Sequence, residues 1–214
     1  MKTNMKNLKN ILTILFLAVL CACNSDDDNN PNDNNNYFEF EFLKVGNKWE
    51  YEISYYDTNG TFISKNDITY EITAIKKYEG DAGWDNEFII NEGNSDSFYE
   101  NINSLYCEPF WGDENSGFPT IYKNYYKGQK WKWHNEIYNY DWLREVLSTN
   151  ETVTIPAGTF YNCIKIRQNN DEKSIYYVSR KYGLIMLESD IYYTDDNGFV
   201  ELRKCIRKLK SKNF

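Results

Sequence analysis

This 214-residue chain has a single histidine, His134. Any nucleophile–histidine pair must therefore use it, and no G-x-S-x-G elbow accompanies it. Its setting, Trp131-Lys132-Trp133-His134, reads as a strand residue among aromatics. A histidine-based zinc site would need cysteines and carboxylates gathered by the fold, and no spacing suggests one. A glycine-rich phosphate loop is also missing. The chain therefore points to no catalytic residues, no cofactor and no metal. The enzymatic alternative is glycoside hydrolysis, because 32 acidic residues offer many carboxylate pairs whose separation only a fold can fix. Long apolar runs are scarce too. The one stretch, Ile11 to Leu20, is about half the roughly 18 residues of a spanning helix. A net charge of −8 argues against nucleic acid as a partner.

The beginning of the chain carries an address. Lys2, Lys6 and Lys9 form a positive region ahead of the apolar stretch, which ends in Leu20-Cys21-Ala22-Cys23. This resembles a bacterial lipobox, with an aliphatic residue at minus three and a small one at minus one. Cys23 fits as the lipidated residue and Cys21 does not, since Leu20 would be a bulky minus-one residue. Residues 1–22 then read as a cleaved signal peptide. Diacylglycerol plus an amide-linked chain meets the two-signal requirement for stable membrane anchoring. Residues 23–36 contain almost only Asn, Asp, Ser and Pro and read as an acidic tether. Within it, Ser25-Asp26-Asp27-Asp28 resembles the acidic signal that takes Bacteroidetes-type lipoproteins to the outer face of the outer membrane. The alternatives are a run that only solubilises a linker and a domain that faces the periplasm. A calcium loop would need a glycine at its sharp turn and a closing glutamate, which are lacking.

Residues 37–214 read as one mainly β domain. Trp49, Tyr51, Ile53 and Tyr55 alternate with polar residues, as do Ile68, Tyr70, Ile72 and Ala74, which is the pattern of a sheet with one wet face. Asn59-Gly60 and Asn197-Gly198 mark hairpins that join antiparallel strands. Further strands are expected at Glu87–Ile90, Ser97–Tyr106, Ile121–Tyr126, Lys130–His134, Glu151–Ile155, Phe160–Gln168 and Ser174–Ser179. Tyr140–Ser148 suits a helix or a strand equally. Short connections exclude parallel crossovers, so the expectation is a single antiparallel, strongly curved sheet or half-barrel with at most one short helix. An internal echo, Val45-Gly46-Asn47-Lys48-Trp49-Glu50-Tyr51 and Lys127-Gly128-Gln129-Lys130-Trp131-Lys132-Trp133, suggests two related half-sheets whose glycines start equivalent strands and whose tryptophans, Trp49 and Trp131, sit at equivalent core positions. The basic C-terminal stretch, Arg203 to Lys212, reads as charge guarding a terminal edge strand.

These residues carry a family resemblance. The opening Leu43-Lys44-Val45-Gly46-Asn47-Lys48-Trp49-Glu50-Tyr51, the turn Val153-Thr154-Ile155-Pro156-Ala157-Gly158-Thr159-Phe160, and Tyr176-Tyr177 followed by Tyr182-Gly183-Leu184-Ile185 resemble exported Bacteroidetes-type β-rich lipoproteins of unknown function. The resemblance spans about Phe42 to Lys208 and implies a mostly antiparallel sheet. Its motifs are structural, and it implies no catalytic residues.

Three body cysteines, Cys107, Cys163 and Cys205, would sit where disulfides persist. A Cys163–Cys205 bridge between neighbouring strands is the preferred pairing, and no bridge is the alternative. Aromatics make up 17% of the chain, and they either fill a β core or present faces for sugars and proteins. The stretch from Tyr106 to Trp133, with Trp111, Trp131 and Trp133, is the expected ligand surface. The functional expectation is a lipid-anchored, non-enzymatic surface binding or accessory protein for a glycan, an apolar ligand or an envelope protein partner. The alternative is a structural or assembly component of the outer envelope. Two substitutions test the address. Cys23→Ala should move the protein from the detergent phase to the aqueous phase, and Asp26→Ala/Asp27→Ala/Asp28→Ala should protect it from protease added to intact cells.

Overall fold

A computed structural model describes residues 40–80, 85–91, 97–100, 104–107, 121–135, 140–169, 173–194 and 198–214. The chain divides after residue 36, and every described residue belongs to the second unit, Tyr37–Phe214. The strands are β1 (Lys48–Tyr56), β2 (Phe62–Lys77), β3 (Asn86–Ile90), β4 (Ser97–Glu100), β5 (Ser104–Cys107), β6 (Ile121–Tyr122), β7 (Lys130–Asn135), β8 (Tyr140–Ile155), β9 (Gly158–Asn169), β10 (Ser174–Ser179), β11 (Gly183–Thr194) and β12 (Val200–Lys212). Tyr140–Ser148 is a strand and continues unbroken into the expected Glu151–Ile155 segment. Within it Arg144 and Val146 are buried while Leu143, Glu145 and Leu147 between and beside them are half-buried, so period two outweighs the helical spacing.

All pairings are antiparallel, and the sheet order is β6-β5-β4-β3-β2-β1-β12-β11-β10-β9-β8-β7. Each six-strand run is a plain meander, and the pairing of β1 with β12 joins the two runs. The sheet does not close into a barrel, since β6 and β7 end the order. It is strongly curved nonetheless. The amide of Ala157, in the β8–β9 turn, donates to the Leu209 carbonyl of β12 at 3.3 Å. At about 4.8 Å per strand step, a flat sheet would hold that turn about 14 Å or more away. Register shifts between Val146 and Val153 let β8 bend back over the concave face.

The two runs repeat one another at their openings. Gly46 and Gly128 both have φ +86°, a left-handed conformation that favours glycine. The Gly46 amide donates to the Ile72 carbonyl at 2.8 Å, and the Ile72 amide to the Asn47 carbonyl at 3.0 Å. Gly128, Val146 and Gln129 make the same two bonds at 2.8 and 2.9 Å. β2 and β8 each shift register just after the residue concerned, Ile72 or Val146. Even the surface ion pair recurs, as Lys48–Glu71 at 3.9 Å and Lys130–Glu145 at 3.7 Å. The sequence echo therefore marks equivalent strand starts.

Equivalence of backbone does not carry through to the side chains. Trp49 is fully buried. It sits edge-on to Phe42, Phe98 and Phe214, with centroids 5.9, 6.2 and 5.2 Å away. Its indole N–H donates to the Tyr182 carbonyl at 2.8 Å, and the Tyr51 hydroxyl donates to the Leu184 carbonyl at 2.8 Å. Trp131, its counterpart, is half-buried at the core margin.

β12 is an interior strand, which corrects the reading of its basic residues as an edge guard. Their charge is met on the outer face by neighbouring strands. Lys204 pairs with Glu188 at 3.2 Å, and Lys210 with Glu50 at 2.9 Å and Asp67 at 2.7 Å. Exposed pairs of this kind contribute about 0–1 kcal/mol each. The Cys163–Cys205 bridge is also not made. Both thiols are free and buried, because β9 and β12 are separated by β10 and β11. Trp49→Ala should lower unfolding free energy by about 3–5 kcal/mol. Trp131→Ala should cost roughly half of that or less, as its half-exposed ring removes less surface from water; chemical denaturation of both variants checks the difference.

Candidate functional site

The concave face holds two kinds of rows. One is the expected apolar floor, in which Val146, Ile166, Tyr176 and Leu187 lie opposite one another across β8 to β11. The next row up is polar across most of the sheet. Trp131 of β7 lies opposite Arg144 of β8, and Arg144 opposite Gln168 of β9. Gln168 lies opposite Ser174, and Ser174 opposite Ser189. Ser189 lies opposite Cys205, Cys205 opposite Tyr55, and Tyr55 opposite Ser64 of β2. Eight strands each supply one residue to a line running straight across the sheet.

Burial along this line is graded. Ser64 is exposed and Tyr55 half-buried, whereas Ser174 retains 4%, Gln168 2% and Arg144 7% of their accessible surface. Buried polar groups must be hydrogen-bonded to be tolerated, and these are. The Arg144 Nε–H donates to Gln168 Oε1 at 2.8 Å, and the Ser174 and Ser189 hydroxyls meet at 2.8 Å. Arg207, one row below and opposite Ile53, adds a second guanidinium on the same face. The row offers a planar cation, an amide, hydroxyls and, at its β7 end, an indole.

The titratable members are held away from reactivity. Burial pushes the Tyr55 phenol up, nearby Cys205 adds to this, and Arg207 opposes it. Burial also pushes the Cys205 thiol up, again opposed by Arg207. Cys163 lies off the row in the apolar core, where burial and then Glu151 push its thiol up to about 12. A thiol so raised carries little thiolate at neutral pH and is a poor nucleophile. The row is built to hydrogen-bond.

The segment joining the two runs is pinned to the core. Lys123 is buried with its ammonium 6.0 Å from the Phe40 ring centroid. The Arg180 Nε–H donates to the Tyr125 hydroxyl, and its guanidinium lies 4.6 Å from the ring centroid. Tyr122 stands edge-on to Trp131 at 5.5 Å, with the two ring planes at 88°. Of the expected ligand residues, the structure brings Trp131 beside Arg144. Trp111 and the side chain of Trp133 lie outside the described residues, as do Cys23, Ser25, Asp26, Asp27, Asp28 and Cys107's side chain.

The chain matches no family model and no curated protein.

Burial pushes the Tyr125 phenol up to about 12, against the opposing charge of Arg180. The folded pKa lies above the ordinary value of 10.0, so this group's contribution to stability is intact below pH 10. It is lost as pH rises from there toward 12. Denaturation midpoints measured between pH 8 and pH 11.5 should fall along that alkaline arm, and Tyr125→Phe should make it shallower above pH 10, leaving the part that the buried thiols of Cys163 and Cys205 and the Tyr55 phenol contribute.

Proposed function

We propose that this protein is a lipid-anchored envelope lipoprotein that binds a hydroxyl-rich ligand of the glycan class and does not transform it. Cys23 is the anchor, and Ser25-Asp26-Asp27-Asp28 directs the domain to the outer face of the outer membrane. The observation that carries the binding assignment is the polar row set into the concave face. Ligand sites combine an apolar surround with a few convergent polar groups, and here the apolar floor lies one row below. Arginine and glutamine present planar donors and acceptors, serines and Tyr55 add hydroxyls, and Trp131 supplies an aromatic edge at the end. The exposed Ser64 end is the side from which a ligand enters, and Arg144 and Gln168 form the deep end. The raised phenol and thiol support binding over chemistry. The resemblance to exported β-rich lipoproteins supports the location.

The row also separates structure from function experimentally. Replacing a buried polar pair by apolar residues of similar volume is often neutral or stabilising. Arg144→Leu/Gln168→Leu should therefore keep or raise the thermal midpoint. At the same time it should weaken saturable quenching of tryptophan fluorescence by envelope polysaccharide fractions at least about tenfold, or about 1.4 kcal/mol. Unchanged affinity in a folded double variant would remove the row from the binding assignment.

A further inference from the structure

At its open end the polar row meets two more guanidiniums. On β12 they flank Cys205, with Arg207 two residues to one side and Arg203 two to the other, each about 7 Å away along the strand. Alternation puts both on the concave side with Cys205, where Arg207 lies opposite Ile53 of β1 and Leu187 of β11. Ile53 in turn lies opposite Asn66 of β2, as Tyr55 lies opposite Ser64. Asn66 and Ser64 are exposed, and Tyr55, Arg203 and Arg207 are half-buried, so solvent reaches this end of the face. Arg203 is held in place, since its Nε–H donates to Glu201 and its guanidinium lies 3.5 Å from the Tyr193 ring centroid. The carboxylates of the same strands are segregated. Glu50, Glu52, Asp67, Glu71, Glu188 and Asp190 all stand on the outer side of β1, β2 and β11, and among the acids of these four strands Glu201 alone shares the concave side. Asp57, in the β1–β2 turn, accepts from the amides of Asn59 and Thr61.

We propose that this end of the row seats the anionic group of an acidic glycan, a carboxylate or a sulfate held by Arg207 with Tyr55 and Asn66 beside it. The inference rests on the glycan reading above and adds a charge to its ligand. Charge chooses the occupant. A chain of net charge −8 turns the acids of these strands outward and two arginines inward, an arrangement that complements an anion and that a neutral sugar does not call for. A guanidinium matches the paired oxygens of carboxylate and sulfate with two parallel N–H donors. The Asn66 amide and the Ser64 hydroxyl supply neutral contacts for ring hydroxyls. Arg207 lies near enough to Tyr55 and Cys205 to oppose the rise that burial imposes on both their protons, so its charge acts at the row itself. The acids of the outer face are bathed in salt, whose screening length is about 8 Å under physiological conditions, and do little to repel a ligand on the other side of the sheet.

The test takes one glycan backbone in three charge states: polygalacturonate, the same polymer after carboxyl reduction, and the reduced polymer after sulfation. Each is titrated by calorimetry into the full-length mature protein in detergent micelles at physiological salt. Wild type should bind at least one charged form about tenfold or more tightly than the reduced form, as loss of a hydrogen bond between charged partners implies. Preference for polygalacturonate identifies a carboxylate, and preference for the sulfated form a sulfate. Arg207→Gln should abolish the preference. Asn66→Asp, at an exposed position that leaves the core untouched, should do the same by setting a carboxylate beside the seat. Lys204→Gln, on the outer side of β12, should leave it intact. Equal affinity of wild type for all three forms overturns the anion seat and leaves the glycan reading standing. A preference that both concave variants retain, or that Lys204→Gln also removes, is adsorption of a polyanion and overturns the seat as well. If no form binds, the glycan reading fails and the seat falls with it.

Discussion

The ladder between β1 and β12 is the constraint on which the rest of the molecule depends. It runs from Trp49 opposite Lys212 to Tyr56 opposite Lys204, joining segments about 150 residues apart. Each six-strand run is built from hairpins, which are local and quick to form. Only this pairing makes one sheet of them, and closing so long a loop costs entropy that the new contacts must exceed. The contacts are placed accordingly. Trp49 and Tyr51, both on β1, donate their side-chain hydrogens to carbonyls at Tyr182 and Leu184 in the turn and first residues of β11. Trp49 buries its ring against aromatics from both ends of the domain, Phe42 and Phe214, and Tyr51 packs on Tyr70 of β2.

The polar row exists only because that ladder is formed. Its Cys205 and Tyr55 are partners across β12 and β1, so separating the runs would cut the row and open its buried end to water. The row in turn is expensive. A buried guanidinium, amide and pair of hydroxyls stabilise less than apolar residues of the same size would, even when each is hydrogen-bonded. The outer face shows the opposite economy, with exposed ion pairs such as Lys65–Glu52 at 3.0 Å contributing little. The fold thus keeps its costly polar groups on the concave side and its cheap ones outside.

Much of the architecture was legible from local signals. Period-two alternation, the two Asn-Gly turns and the Gly-x-Lys-Trp echo identify β1, β2, β7, β11 and β12 and anticipate the repeated openings at Gly46 and Gly128. What local signals cannot carry is which strands become neighbours. The basic residues of β12 look like an edge guard until β1 is placed beside them, and Cys163 and Cys205 look pairable until β10 and β11 come between. The row itself left a faint trace: Gln168 is in phase with Ile164 and Ile166, and Arg207 with Leu209, each a polar residue at an inward position. Reading those as a single line required the register of all eight strands. Trp131 stands out in the sequence for its aromatic surroundings, but its place beside Arg144 depends on the β7–β8 register.

Native-state hydrogen exchange tests most directly whether the two runs form one cooperative sheet through β1 and β12. The amides of that ladder should belong to the slowest class and open only with global unfolding, at the free energy given by denaturant titration. If they exchange well before the β2–β3 and β8–β9 hairpins do, the runs are independent units, and a row that crosses between them cannot be the binding site.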